Sequence, residues 1–500
     1  MPLNHSVYAS GQSARIAAEN GLLARCTTET PANLYFSRAP VPQKPFPMNE
    51  TPLNASRLGK RHIGVVTTSR ADYSHLYWPL RELAAHPEVE LGLFVLGAHL
   101  SPEFGSTLGE IERDAIPGLE IKARIECLLS SDTDTGMAKT IGVAILGLAD
   151  ALTAWRPDLL LLIADRYELL APACVALALR IPVAHIEGGE ISQGAIDDQV
   201  RNALTKLAHI HFTSTPTARR RVIAMGEEPW RVHHAGAPSL DHMRRSALLN
   251  RPALETRLGL TLTPPAILAA YHPVTILKDT TAEADAVFAA LAQVPGQLLF
   301  VHPNADAGSY ALIERTRALA KTRPHTHIFV NLDPITYWSL LGQVDALIGN
   351  SSSGIMEAAS FALPAINVGI RQQGRERARN VIDAPAEAAA ILAALKHALS
   401  PKFRKSLRGM ENPYGNGTAA TTIARVLTTV PLEGLLIKQP TPLSEEANSE
   451  NKAEEVAVLK GRAFSRAAER PKQIAAKSKL AENKESYKEG SWKGIGRGIA

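Results

Sequence analysis

Short apolar runs that alternate with helical patterns constrain the fold of this 500-residue chain more than any other feature. Such runs, nearly free of polar residues, are typical of parallel strands covered by helices on both faces. They fall in two groups, at residues 62–67, 91–96, 159–163, 183–186 and 210–213, and at 266–271, 298–301, 328–331, 346–348 and 365–368. We therefore predict an α/β protein with two doubly wound, Rossmann-like domains and a ligand in the cleft between them.

The same alternation sets the predicted domain boundaries. We assign residues 61–240 to the first Rossmann-like domain, 241–403 to the second, and 404–427 to a C-terminal helix. Residues 1–60 lack sustained periodicity and are expected to form a loose N-terminal arm. Residues 428–500 are expected to form a basic, mostly disordered tail.

The charge of the chain is concentrated in that tail. Residues 451–500 hold twelve Lys/Arg and six Asp/Glu, while the whole chain has a net charge of only +5. The rest of the chain is therefore nearly neutral, which argues against a nucleic-acid groove.

The cysteines and the hydropathy pattern indicate the cellular compartment in which the protein is expected. Cys26, Cys127 and Cys174 show neither metal nor disulfide spacing, which favours a reducing environment. No apolar run of about eighteen residues is evident, and the N-terminus lacks a signal pattern. We expect a cytoplasmic protein without a membrane partner.

One segment, residues 345–360, predicts a strand, a turn of small residues and a helix over 355–361. Ser351 and Ser352 lie where free helix amides bind anions, and Glu357 lies about one turn further, where a carboxylate can accept hydrogen bonds from ribose hydroxyls. Together they suggest a nucleotide. An ordinary capped helix is the alternative.

Other polar residues also follow predicted strands. Arg70 and Ser74 lie in the first strand-to-helix loop, where an arginine fork suits a phosphate. Asn304 and Asp306 follow a strand of the second domain and are candidate ligand contacts. Arg371 follows another strand and is a candidate for a pyrophosphate.

Candidate proton carriers follow strands as well. Asp165 precedes Arg166, Glu187 precedes two glycines, and Asp198 lies at a predicted helix start. His272 closes the first strand of the second domain and has a side chain suited to proton transfer. Clustered carboxylates shift one another's pKa, so that one can act as acid and another as base. Surface ion pairs, helix-dipole effects and a structural histidine remain the alternatives.

Two cofactor classes are not favoured by the sequence. It has no Walker loop, no Gly-x-Gly-x-x-Gly after the first strand and no metal-spaced His/Cys set, so we predict neither a dinucleotide cofactor nor a metal.

Nine segments, in order, resemble the hydrolysing UDP-N-acetylglucosamine 2-epimerases of sialic-acid biosynthesis, over about residues 61–427. They are TSRADYS at 68–74, VLGAH at 95–99, ADR at 164–166, HIEGGE at 185–190, IDD at 196–198, HPVT at 272–275, PNADAGS at 303–309, GNSSSG at 349–354 and RQQGR at 371–375. One departure is Ala164, where the family usually has glycine.

The resemblance implies a glycosyltransferase-B-like fold with a UDP-sugar in the cleft and the C-terminal helix crossing back to the first domain. It implies conversion of UDP-N-acetylglucosamine to UDP and N-acetylmannosamine without NAD, through loss of the C2 proton and of UDP, then addition of water. Asp165, Glu187, Asp198 and His272 would carry protons. The UDP contacts would be Arg70, Ser74, Arg166, Asn304, Ser351, Ser352 and Glu357, with His99 near the sugar. We also expect a homo-oligomer, a dimer or a tetramer.

Four alternatives stay open. The substrate could be a modified sugar, such as the 2,4-diacetamido-trideoxy sugar of legionaminic-acid synthesis. A non-hydrolysing epimerase, a glycosyltransferase of the same fold, and a non-catalytic UDP-sugar-binding module are the others.

Overall fold

The computed structural model describes residues 59–129, 131, 133–303 and 306–440. Residues 1–58 and 441–500, which hold nearly all of the predicted arm and most of the predicted tail, lie outside the described residues, as does Asn304.

In the described part of the chain, seven parallel strands form the first sheet, in the order β3-β2-β1-β4-β5-β6-β7. They are β1 (Arg61–Thr67), β2 (Val89–Leu96), β3 (Leu119–Ile125), β4 (Leu159–Ile163), β5 (Val183–Ile186), β6 (Ile210–Thr213) and β7 (Val232–His234). The first strand lies third in this order, inside the sheet, and pairs in parallel with β2 on one side and β4 on the other.

The second sheet has six parallel strands among the described residues, in the order β10-β9-β8-β11-β12-β13. They are β8 (Ala266–Ala270), β9 (Gln297–Val301), β10 (Thr326–Phe329), β11 (Ala346–Gly349), β12 (Ala365–Val368) and β13 (Val381–Ala384). The prediction of two doubly wound, Rossmann-like domains in a glycosyltransferase-B-like arrangement is therefore confirmed.

Helices connect the strands and cover both sheets. Those of the first half are α1 (Arg70–Ala84), α2 (Leu108–Asp114), α3 (Asp134–Ala154), α4 (Leu170–Leu179), α5 (Asp197–Leu207), α6 (Pro216–Ala224) and α7 (Asp241–Arg245). Those of the second half are α8 (Arg251–Leu258), α9 (Ala284–Gln293), α10 (Ser309–Thr322), α11 (Pro334–Leu341), α12 (Ser353–Met356), α13 (Ala388–Ala398), α14 (Pro401–Ser406) and α15 (Ala419–Thr429).

The strands that the sequence pattern missed all lie at sheet edges. β3, β7 and β13 are outermost strands, and each mixes polar with apolar residues. An edge strand is open to solvent along one side, so it does not need the purely apolar composition of a central strand. β10, the remaining edge strand, begins two residues earlier than predicted, at Thr326.

The prediction of one helix over residues 404–427 is wrong. The chain forms two helices there, α14 and α15, separated by residues 407–418. Gly409, Gly415 and Gly417 adopt positive φ in this connection, which a continuing α-helix does not allow, and Pro413 removes a backbone donor.

The C-terminal helix packs on the first sheet. Ile423 and Leu427 of α15 are fully buried in the same core cluster as Ile63 and Val65 of β1 and Leu76 of α1. Alternate residues of the central strands, such as Val66 and Leu160, point to the opposite face and pack under α3 and α4. The chain that follows α15 is also attached to this half, because the Arg231 guanidinium donates to the carbonyls of Leu435 (2.9 Å) and Ile437 (2.7 Å).

Helix α3 contradicts the expectation that no apolar segment reaches membrane-spanning length. By length and composition alone, it is the one helix among the described residues that could cross a membrane. Its buried face, which includes Ala144, Leu148 and Leu152, packs in the core beneath the first sheet. Leu146, on the opposite face, is 71% exposed.

Candidate active site

The carboxyl ends of both sets of strands face one cleft of about 1300 Å³ that is open to solvent. Ten of the predicted site residues line it, namely Arg70, Ser74, Asp165, Arg166, Glu187, His272, Ser351, Ser352, Glu357 and Arg371. His99, Asp198 and Asp306 are described but are not among the lining residues, and Asn304 lies outside the described residues.

The turn that follows β11 approaches the neighbouring strand closely. Gly349 has φ +148°, and a Cβ there would collide with the carbonyl oxygen of Ala270 on β8, so the position requires glycine. The Asn350 amide then joins the two strand ends, since it accepts from the His272 N–H (2.7 Å) and donates to the His272 carbonyl (2.8 Å). Ser351 and Ser352 follow directly and line the cleft.

The helix after this turn is shorter than predicted. It begins at Ser353, ends at Met356, and is followed by a 3₁₀ turn over Ala358–Phe361. Glu357 lies between the two and is buried, and its carboxylate accepts a hydrogen bond from Ser239 (2.7 Å). The prediction of a regular helix over 355–361 is therefore wrong, although the turn and Glu357 still face the cleft.

Two predicted phosphate contacts are already paired across the cleft. Arg371 donates to Asp197 (3.2 Å) and to the Asn350 carbonyl (3.3 Å). Arg70, at the start of α1, donates to the side chain of Asn331, which follows β10. Both arginines line the cleft, so a phosphate that entered it would meet guanidinium groups already held at its walls.

Arg166 is held by two buried carboxylates. It lies 2.7 Å from Asp306 and 2.9 Å from Glu168. Burial alone would raise the pKa of Asp306, but Arg166 and Arg371 outweigh it and lower that pKa. Asp306 therefore supports Arg166 and does not line the cleft itself.

Of the two adjacent acids at the start of α5, Asp197 lines the cleft and Asp198 does not. The Asp198 carboxylate accepts from the Ser192 N–H (2.8 Å) and lies 3.4 Å from Arg201. Burial raises the pKa of Asp197 above its usual value, against the opposing charge of Arg371. Asp197 is thus the carboxyl at this helix start that faces the cleft.

Asp165 lines the cleft, and its charge is compensated by Arg201, which does not line the cleft. Arg201 donates to it and is itself buried, held by the Glu190 carbonyl (3.0 Å) and the Ser192 hydroxyl (3.0 Å). Ala164, just before it, has φ +62°, a left-handed conformation that costs an alanine about 1–2 kcal/mol. A glycine would adopt this conformation without strain.

Glu187 is paired with a histidine that the sequence reasoning missed. His75 Nδ1 lies 3.2 Å from Glu187 Oε1, and His75 Nε2 lies 3.7 Å from Glu357 Oε1. Burial would lower the pKa of His75, but Glu187, Glu357 and Asp72 together raise it to about 9. Burial likewise opposes ionisation of Glu187, but His75 and Arg375 bring its pKa below the usual value.

Helical spacing was the signal that could have found His75. Ser74 and His75 lie one turn after Ala71 on α1, and all three residues line the cleft. The sequence pattern also did not indicate Arg375 as a site residue, although Arg375 ends the segment RQQGR at 371–375 and lines the cleft. Its side chain joins the two halves, because its Nε donates to the Ile191 carbonyl (3.4 Å).

Burial lowers the pKa of both predicted histidines. Burial and the nearby Arg371 lower the pKa of His272 to about 3, so the imidazole has no proton to donate as a cation near neutral pH. His99 is fully buried between Thr67 (2.9 Å) and Thr107 (2.7 Å), and burial lowers its pKa to about 4. His99 therefore supports the chain behind the cleft.

The described residues contain no group of three or more His, Cys, Asp or Glu side chains arranged to hold a metal ion.

Residues 81–428 match the family described as UDP-N-acetylglucosamine 2-epimerase. The UDP-N,N'-diacetylbacillosamine 2-epimerase (hydrolyzing) of Legionella pneumophila is 35% identical over 381 residues, which are 76% of this chain and 98% of that protein. This chain belongs to the hydrolysing branch of that 2-epimerase family.

Two further relatives support the same family, and one solved structure has the same fold. The GDP/UDP-N,N'-diacetylbacillosamine 2-epimerase (hydrolyzing) of Campylobacter jejuni is 35% identical over 65% of this chain and 85% of that protein. The UDP-N-acetylglucosamine 2-epimerase of Neisseria meningitidis is 31% identical over 68% and 88%. The UDP-GlcNAc 2-epimerase of Methanocaldococcus jannaschii, solved with UDP-GlcNAc and UDP, has the same fold, with TM-score 0.61 and 16% identity over 73% of this chain and 99% of that one.

Proposed function

We propose that this protein is a hydrolysing 2-epimerase of a UDP-2,4-diacetamido-2,4,6-trideoxyhexose, UDP-N,N'-diacetylbacillosamine. The observation that carries the proposal is the similarity to two relatives with that activity, each 35% identical, one of them matched over 98% of its length. UDP-N-acetylglucosamine, the substrate first expected from the sequence, is the second candidate, and the 31% identical Neisseria relative supports it.

The nucleotide part of the substrate suits the second half of the cleft. We propose that Ser351 and Ser352 contact the pyrophosphate with Arg70 and Arg371, and that Glu357 accepts hydrogen bonds from the ribose. Guanidinium groups held at the walls can stabilise the charge that grows on UDP as the C1–O bond breaks, without reorganising at that moment. Arg166, Ser74 and Asn304 remain proposed UDP contacts on the family resemblance alone.

The proton-transfer steps suit the carboxylates of the first half. We propose that ionised Glu187 accepts the C2 proton while the C1–O electrons leave with UDP, which creates a C1–C2 double bond. Asp197, whose half-buried carboxyl has a raised pKa and so holds its proton more readily, then donates that proton to C2 from the opposite face, and water adds its oxygen to C1. The proton of that water replaces the one lost by Asp197, and Glu187 returns its proton to solvent.

The roles first expected for the other candidates change accordingly. Asp165, compensated by Arg201, is proposed to orient the sugar, and neutral His272 to donate a hydrogen bond from its ring N–H. The product would be the free 2,4-diacetamido sugar with inverted configuration at C2.

The test is to incubate the full chain with each UDP-sugar separately in deuterated water. The proposal predicts UDP release and a C2-deuterated, C2-inverted free sugar from UDP-diacetylbacillosamine, with kcat/KM at least tenfold above that for UDP-N-acetylglucosamine. The reverse preference would select the second candidate. Release of UDP without deuterium would overturn the elimination mechanism for either substrate.

We also propose that the protein is a homo-oligomer that pairs through the outer face of α3. Val143 and Leu146 are exposed there, with Lys139 towards one end of the stripe and Asp150 towards the other. Asp150 follows Lys139 by eleven positions, which is about 16 Å along a helix. In an antiparallel, two-fold pair each Lys139 would face Asp150 of the second copy, with the apolar residues between them.

Cytoplasmic location stays a prediction.

A further inference from the structure

His75 occupies a place in the cleft that the proposed reaction leaves without a role. It lies in the second turn of α1, where its side chain is 20% exposed and faces the ligand space. It touches two carboxylates that belong to different halves of the molecule, since Glu187 follows β5 of the first sheet and Glu357 follows α12 of the second.

The helix that carries His75 is fixed at its start. The Asp72 carboxylate accepts from the backbone N–H of Thr68 (2.9 Å) and Ser69 (3.2 Å) and from the Ser69 hydroxyl (3.0 Å). One turn later, the Ser74 carbonyl accepts a hydrogen bond from His242 (2.8 Å). Because the backbone that precedes His75 is held at these two points, the imidazole is presented at a defined position between the two glutamates.

The surroundings of His75 favour its cationic form. The acidic groups that face it are Glu187, Glu357 and Asp72. The other cation near Glu187 is Arg375, whose guanidinium contacts the Met356 sulfur (2.9 Å) and the Ile191 carbonyl (3.4 Å). His75 is therefore the cationic side chain that directly hydrogen-bonds Glu187 in the described structure.

We propose that His75 is a positioning residue that keeps Glu187 ionised and oriented, and that ties this carboxylate to Glu357 at the nucleotide end. The proposal rests on the proposed function, in which Glu187 accepts the C2 proton. A base must be unprotonated before it can act, and a cation 3.2 Å away stabilises the ionised form of the buried Glu187 carboxylate.

The kinetic test compares His75→Gln and His75→Lys with wild type and with His397→Gln, an exposed histidine of α13 outside the cleft. In His75→Gln, which keeps a hydrogen-bond donor but loses the charge, we expect the acidic limb of kcat/KM to move up by at least one pH unit. We expect kcat at pH 7 to fall at least tenfold, with KM within about threefold. His75→Lys should move the limb back towards wild type. A fall in kcat with an unmoved limb would overturn the proposal.

A second readout does not need turnover. With ¹³C-labelled histidine, the His75 resonance, assigned by its loss in His75→Gln, should titrate near pH 9 in wild type. It should titrate lower in Glu187→Gln, and by a smaller step lower in Glu357→Gln. If His75 titrated near its ordinary value in wild type, the proposal would fail even in an active enzyme. If it titrated as expected but no UDP-sugar turned over, only the proposed function would fail.

Discussion

The Arg371 guanidinium lies 3.2 Å from the carboxylate of Asp197, although 174 residues separate the two in sequence. The pair joins the helix after β5 to the loop after β12, so it links the first half of the cleft to the second. It also distinguishes Asp197 from its neighbour Asp198, which faces the Ser192 amide and Arg201.

That distinction predicts different outcomes for two adjacent substitutions. Asp197→Asn should lower kcat by at least a hundredfold, because it removes the proposed proton donor from the cleft. Asp198→Asn keeps an oxygen that accepts from Ser192 and should stay within about tenfold of wild type. Steady-state kinetics with the preferred UDP-sugar, alongside thermal unfolding of both variants, checks the pair. Equal losses would contradict the assignment of the proton donor to Asp197.

Glu187→Gln should abolish most turnover and spare binding. The amide cannot accept the C2 proton, so kcat should fall at least a hundredfold while the Kd for UDP changes less than threefold. Glu314→Gln, an exposed residue of α10 outside the cleft, is the matched control. Retained turnover in Glu187→Gln would contradict the role given to this carboxylate.

Glu357 can be tested through the ribose alone. Removing a hydrogen bond to a charged group costs about 1.5–3 kcal/mol, so wild type should bind 2′,3′-dideoxy-UDP at least tenfold more weakly than UDP. Glu357→Gln should show a much smaller difference between the two ligands. Titration calorimetry measures all four affinities. An unchanged ratio in the variant would mean that Glu357 does not contact the ribose.

Stability should depend on pH through His75. Its pKa is raised in the folded state, from 6.5 to about 9, so its stabilising contribution is complete below pH 6.5 and is lost as the pH rises through 9. The difference in free energy of unfolding between wild type and His75→Gln should therefore shrink by about 3 kcal/mol across that window. Urea unfolding at several pH values measures it. A constant difference would mean that the imidazole does not gain its proton affinity from folding.

The α3 face predicts the result of a charge placed at its centre. Leu146→Glu should shift the protein to a smaller species in light scattering, because it would bury a carboxylate in the proposed pair. Met243→Glu, a similar change at an exposed residue of α7, should leave the mass unchanged. An unchanged mass for Leu146→Glu would place the contact elsewhere.

The central strands were predictable because burial on both faces leaves a purely apolar signature, as in Leu159–Ile163. The cleft residues that end such strands, Asp165 and Glu187 among them, could be found for the same reason. The edge strand Leu119–Ile125 was not predicted, because solvent exposure removes the purely apolar pattern. The interruption of the predicted helix 404–427 was not predicted either, because glycine-rich turns there break the helical pattern.

The sequence pattern could not predict which side chains contact each other at the cleft. Whether Asp197 or Asp198 faces the ligand depends on helix rotation at a terminus, which neighbouring acids do not reveal. The pKa of His75 is raised mainly by Glu187 and Glu357, which lie 112 and 282 positions away in the chain. No local sequence pattern indicates that these three side chains are in contact.

The packing of α15 against α1 and β1 has a consequence for synthesis on the ribosome. The core of the first sheet includes Ile423, Leu427 and Leu435, so it is incomplete until residue 435 has emerged. The whole second sheet lies between β7 and α15 in the chain, so the ribosome makes it before the core of the first sheet is complete. The first half of the cleft therefore cannot reach its final packing before the second half has been made, whereas N-terminal domains generally fold first during synthesis.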